Sequence, residues 1–127
     1  MPQPTKTTAE EPYEQTIPGG RLDSLESACA WVSTVVRSFT DQNDLPHLAA
    51  RNARNLIANA LRATPTADKV RVKVSPLANH LKIEVRHPGR PFALLSNWEG
   101  LTTEISDFGT SGSPSGHVAW FLVSRRA

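Results

Sequence analysis

The sequence predicts an α+β fold, a two-layer sandwich in which helices cover one face of a mostly antiparallel sheet. Three observations carry that prediction. Two segments repeat apolar residues at helical intervals, two others alternate strictly between apolar and charged residues, and a segment near the end is apolar on both faces. The chain has 127 residues, 39% hydrophobic and 20% charged, which suits one domain with a single core.

Residues 1–11 are rich in Pro, Thr, Gln and Glu without an apolar period, so they are expected to be a disordered tail, leaving residues 12–127 as the domain. Tyr13 to Ile17 can form a short strand, closed by the turn signal Pro18-Gly19-Gly20. A helix follows. Asp23 and Glu26 have capping-box spacing, with Ser24 as an alternative cap, and Leu22, Leu25, Cys29, Val32, Val36 and Phe39 repeat at helical intervals to an end near Asp41. Asp44 caps a second helix with Pro46 in its first turn, where a missing N–H costs least, and Thr64-Pro65 stops it. Leu45, Leu48, Ala49, Ala53, Leu56, Ile57 and Ala60 form its apolar stripe, while Asn52, Asn55, Asn59 and Arg62 line up opposite. Asparagine is a mediocre helix former because its amide competes for nearby backbone groups. Helix stability therefore does not explain the row; a ligand, a partner or a tolerant solvated face does.

Lys69 to Val74 and Leu81 to Arg86 place valines, Leu81 and Ile83 on one face and charges on the other, as half-buried strands do. Pro76 to His80 is a plausible hairpin connection, which makes the pair antiparallel. Val118 to Val123 reads as a last strand buried on both faces, with Trp120 in the core, and Gly109 to Gly116 before it reads as a flexible loop. Trp98, in a polar stretch, suits a partner interface.

Several function classes are disfavoured. No apolar run approaches the roughly 20 residues of a membrane span, and the start lacks a cationic segment followed by an apolar core, so a cytoplasmic protein is expected. The single cysteine, Cys29, falls on the apolar side of the first helix and should pack as a small hydrophobe. His47, His80, His87 and His117 lack zinc-site spacing, and the Gly109 to Gly116 stretch lacks the ending of a phosphate-binding loop. A net charge of +2 is modest for a nucleic-acid binder, although the pI near 9.0 leaves a local patch open. Arg51, Arg54 and Arg62, with Lys69, Arg71 and Lys73, could form a basic surface. Acidic residues such as Glu84 lie among them, and no helix-turn-helix signature is present, so nucleic acid is not the expected partner.

Four motifs in order carry a family likeness. Thr16-Ile17-Pro18-Gly19 leads into a helix with Ala28, Trp31 and Val32. Asn55-Leu56-Ile57-Ala58-Asn59-Ala60-Leu61-Arg62-Ala63 is similar to an N-box of the form Glu-Leu-Val-x-Asn-Ala-x-x-His. Leu81 to Arg86 is like the strand before an Asp-x-Gly box, and Gly116-His117-Val118-Ala119-Trp120-Phe121 looks like a closing Gly-x-Thr-x-x-Phe segment. From about Tyr13 to Val123 the chain resembles the GHKL (histidine kinase-like) ATPase/kinase superfamily, and within it the small anti-sigma-factor serine kinases of actinobacterial type.

The resemblance implies a nucleotide site with several losses. Asn59 matches the residue that coordinates the magnesium bridging ATP phosphates. Asn55 stands where the family has its general base, and an amide cannot take a proton near pH 7. His87, in His87-Pro88-Gly89-Arg90-Pro91, matches the adenine-reading Asp, and Val118 its partner Thr; without acceptor and hydroxyl such a site loses adenine discrimination. Trp98-Glu99-Gly100-Leu101 stands where the family has Gly-x-Gly-Leu, with the Glu99 carboxylate opposing phosphate charge, and the helix after it, about Leu101 to Phe108, is short. Arg62, Gly89, Gly100 and Leu101 complete the implied set with Asn55, Asn59, His87 and Val118. The expectation is a regulatory protein with a degenerate ATP site and no catalytic residue. It would act on a sigma factor or an anti-anti-sigma-like protein, as a homodimer, with ATP and magnesium (on Asn59) bound only if the pocket still works. The alternative is an ATP-binding serine/threonine kinase of an anti-anti-sigma partner, holding ATP through Asn59, Arg62 and Gly100.

Overall fold

The computed structural model describes residues 10–20, 22–88, 105–113 and 116–125. In chain order these form strand β1 (Tyr13–Pro18), a 3-10 turn (Leu22–Ser24), helices α1 (Leu25–Arg37) and α2 (Leu45–Ala63), and strands β2 (Lys69–Pro76), β3 (His80–His87), β4 (Ile105–Ser113) and β5 (Gly116–Ser124). The strands make one sheet in the order β1-β2-β3-β5-β4, every neighbouring pair antiparallel. Helix α1 lies over β1 and β2, and α2 over β2 and β3, so the expected α+β sandwich is the observed one.

The core forms where the two periodicities meet. Val32 and Val36 of α1 and Leu56, Ile57 and Leu61 of α2 pack on Val70, Val72, Val74, Leu81, Ile83, Val85 and Phe121 of the sheet. Alternation along β2 and β3 sends these apolar side chains towards the helices and Lys69, Arg71, Lys73, Lys82, Glu84 and Arg86 to the outer face. The Pro18-Gly19-Gly20 turn docks on the end of α2: the Gly19 N–H donates to the Asp68 carbonyl at 2.9 Å and the Gly20 N–H to the Leu61 carbonyl at 2.8 Å. Gly20 has φ +69°, a conformation that favours glycine, and a Cβ at Gly19 would collide with the Thr64 side chain.

Four details differ from the sequence reading. Helix α1 ends short of Asp41, because the Ser38 hydroxyl donates to the Val35 carbonyl at 2.6 Å and the Phe39 N–H to that of Val36 at 2.9 Å, tightening the last turn. Ser24 and Asp44 occupy the N-cap positions without a side-chain cap hydrogen bond. The expected Leu101 to Phe108 helix is contradicted from Ile105 onward, and the Gly109 to Gly116 loop is replaced as far as Ser113: these residues are edge strand β4. Their polar, glycine-containing sequence does not alternate; they are held as a strand by pairing with β5, with a register irregularity between Ile105 and Asp107. Finally, β5 is buried on one face only. Ala119, Phe121 and Val123 enter the core, whereas Trp120 lies half-buried on the outer face, its indole 2.8 Å from where a Cβ on Gly109 would stand and 5.1 Å from the Lys82 ammonium.

Residues 1–9 of the expected tail lie outside the described residues, but Glu10 is bound by both Nη atoms of Arg125, at 2.9 and 2.5 Å. Among the described residues no helix is long and apolar enough to cross a membrane.

Candidate functional site

The residues singled out on α2 separate by burial. Asn52 does not belong to an exposed row: it is buried, and its Nδ2 donates to the Leu48 carbonyl at 2.9 Å, one turn back. Such back-bonding satisfies the amide inside the helix. The buried stripe of α2 is wider than its apolar residues, since the helix is packed by α1 on one side and the sheet beneath. Asn55 is exposed and Asn59 half-buried, and Arg62 Nη1 donates to Asn59 Oδ1 at 3.4 Å. The groove between the helices, about 380 Å³, is lined by Glu26, Cys29, Ala30 and Ser33 of α1 and His47, Ala50, Arg51 and Arg54 of α2. Asn55 and Asn59 therefore lie on the other flank of α2, away from α1.

That groove holds the cysteine. Cys29 is 8% exposed, and burial pushes its thiol upward, so it packs as an apolar residue rather than as a nucleophile. Glu26 and Arg54 cross its rim in an ion pair at 2.5 Å, which lowers the Glu26 carboxyl and raises Arg54.

At the end of β3, His87 is 0% exposed. Its Nδ1 lies 2.9 Å from the Pro88 carbonyl, and because a carbonyl only accepts, Nδ1 carries the proton and donates. Burial, and secondarily the neighbouring His117, lower its pKa, so the ring is neutral near pH 7. His117 sits directly across on β5, ring centroids 6.0 Å apart, and its imidazole covers Gly112 of β4 where a Cβ would clash. Gly116, at φ +155°, brings its Cα close to β3: a Cβ there would stand 2.9 Å from the His87 carbonyl oxygen.

The register separates two residues that the resemblance puts on one base. Val118 pairs with Arg86, not His87, and stands on the outer face, while His87 and His117 face the helix side. Gly89, Gly100 and Leu101, with Trp98 and Glu99, lie outside the described residues. Sequence reasoning passed over His117 and Arg86. The signal was available in the alternation of β5, where the buried Ala119, Phe121 and Val123 fix which face each neighbour takes.

The architecture has solved counterparts. A nucleotide-free form of the catalytic domain of the histidine kinase ThkA superposes with a TM-score of 0.55 at 16% identity, covering 90% of this chain and 98% of that one. The fold is that of a histidine-kinase catalytic domain. A second nucleotide-free form gives a TM-score of 0.56 at 15% identity, covering 89% of this chain and 99% of the other. The ThkA kinase crystallised in complex with the response regulator protein TrrA gives 0.54 at 16% identity, covering 88% of this chain and 42% of that longer one. At these identities the likeness is one of fold. No family model and no curated protein matches the chain by sequence.

Set on the histidine-kinase fold, the described part of the implied nucleotide site comprises Asn55 and Asn59 on the outer flank of α2, Arg62 beside them, and His87 sealed at the end of β3. Among the described residues no group of three or more His, Cys, Asp or Glu could hold a metal ion.

Proposed function

We propose that this chain is a regulatory protein of the histidine-kinase fold that acts in the cytoplasm by binding another protein, with a nucleotide site that has decayed. One observation supports this most: at the position the resemblance gives to the adenine-reading carboxylate stands a neutral imidazole, 0% exposed, with its Nδ1 proton committed to Pro88. The acceptor left on such a ring, Nε2, is buried, so no carboxylate and no accessible acceptor meets an incoming base. The described residues fit ATP with magnesium poorly. Asn59 Oδ1 is the one implied metal-binding oxygen among them and already accepts from Arg62, while position 55 offers an amide in place of a base.

A protein partner is consistent with the ThkA kinase, which is found in complex with a response regulator. The resemblance points to a sigma factor or an anti-anti-sigma-like protein, with a homodimer as the assembly. Two measurements test the reading. Calorimetry with ATP and magnesium should show no micromolar binding, and size-exclusion chromatography with light scattering should show a complex with such a partner. Micromolar ATP binding would overturn the decayed-site reading, and transfer of labelled phosphate to a partner serine would establish the kinase alternative.

A further inference from the structure

The side of the sheet turned away from the helices carries an unbalanced group of cations. Lys69 and Arg71 of β2 and Arg86 of β3 line a half-open cavity of about 320 Å³, closed at one end by His87 and Pro88. Arg71 and Arg86 are directly opposite each other in the antiparallel register. Like charges so placed destabilise a sheet, their Cβ atoms being about 5 Å apart. None of the three makes an ion pair or a hydrogen bond through its side chain with a described residue, although the Glu84 carboxylate lies one row away on the same face. Their other cross-strand neighbours are neutral, Thr16 opposite Arg71, Val118 opposite Arg86 and Pro18 opposite Lys69.

The same face shows that compensation was within reach. On the adjacent row Lys73 stands between Glu14 of β1 and Glu84 of β3, one cation flanked by two carboxylates. The repulsion is confined to the row that lines the cavity, so an anionic occupant explains what packing does not. Two guanidiniums provide planar donor forks and the ammonium a third charge, which matches the oxygens of a dianion better than a single carboxylate. The cavity, about 320 Å³, is near the roughly 300 Å³ lower limit of small-molecule sites.

We propose that Lys69, Arg71 and Arg86 form a binding site for the phosphate monoester group of a small ligand, on the sheet face opposite α1 and α2. The site does not depend on the proposed protein-binding role; it borders the implied nucleotide set at His87, whereas Asn55 and Asn59 of that set lie in the helix layer on the other side of the sheet. The group could arrive as a free phosphorylated metabolite or as a phosphorylated amino acid, and the probes separate the two.

The full chain, labelled with ¹⁵N, is titrated with inorganic phosphate, with phosphoserine and with chloride at matched ionic strength. Saturable shifts at β2 and β3 are expected with both phosphates and not with chloride; tighter binding of phosphoserine assigns an amino-acid ester, equal binding a free phosphate group. Arg71→Gln and Arg86→Gln should each weaken binding about tenfold. Lys73→Gln, outside the cavity lining, should weaken it by much less. Melting in the absence of phosphate is the folding control: both arginine variants should melt at or above the parent temperature because the repulsion is gone. No saturation with phosphate, equal weakening by Lys73→Gln, or preferential binding of a single-stranded oligonucleotide with a steep salt dependence would overturn the proposal.

Discussion

The two ends of the sheet treat arginine in opposite ways. At the end formed by Tyr13, Pro76, His80 and Ser124, Arg125 has a side chain 8% exposed, grips both carboxylate oxygens of Glu10 and donates to the Leu77 carbonyl at 3.0 Å. Its guanidinium lies 5.8 Å from the Phe39 ring, its own N–H donates to the Asn79 carbonyl, and its carbonyl accepts from Thr40 Oγ1. At the other end, Arg71 and Arg86 face each other and neither forms an ion pair with a described residue. The contrast separates a residue that holds the fold from residues the fold tolerates. A charge placed for stability is surrounded by partners; one left without them carries a cost that folding alone does not require.

The largest expected effect is at the closed end. Arg125→Ala removes several charge-assisted hydrogen bonds together and should destabilise the protein by about 2–3 kcal/mol in urea titrations. A loss below about 0.5 kcal/mol, typical of an exposed surface pair, would erase the contrast. Next comes the glycine beneath His117. Gly112→Ala should cost about 1–3 kcal/mol through the clash with the imidazole, and His117→Ala in the same chain should recover most of it. Absence of rescue would place the strain elsewhere on β4.

The third test uses pH. Because the folded pKa of His87 is lowered from 6.5, the unfolded chain binds the proton more readily, and stability is complete above that value and declines as pH falls below it towards the folded pKa. The slope in that window should approach about 1.4 kcal/mol per pH unit, and His87→Phe should flatten it. An unchanged slope in the variant would mean that another group titrates there. The smallest effect has the opposite sign to the first: Arg86→Gln should stabilise by about 0.5 kcal/mol at low salt, and the gain should vanish as salt screens the parent's repulsion. Destabilisation would show that Arg86 has a partner of its own and would make the two ends alike.

The parts of the fold that the sequence revealed are those whose signal is local. The alternation of Lys69 to Val74 and of Leu81 to Arg86, and the apolar repeat from Leu45 to Ala60, each specify an element and its buried face within a few residues. Strand β4 has no such signal. Ile105 to Ser113 becomes a strand because β5 offers it an edge, and Gly109 and Gly112 leave room for Trp120 and His117 to lie across it on opposite faces. The site shows the same division. His87 could be placed from its motif, but whether Val118 or His117 stands beside it depends on tertiary register, and a shift of one residue exchanges the faces. Likewise, the spacing of Asn52 matched an exposed row, and only the packing around α2 decides that this asparagine is inside.

The Glu10 to Arg125 clasp joins residues 115 positions apart in sequence. The described chain therefore enters and leaves at the same corner, with its full sheet strung between two neighbouring points. A circular permutant with these points linked and new ends opened between Leu77 and Asn79 should assemble the same sheet. Reporter domains fused before Glu10 and after Arg125 would emerge side by side, leaving the far rim, with its cations and buried imidazole, unobstructed.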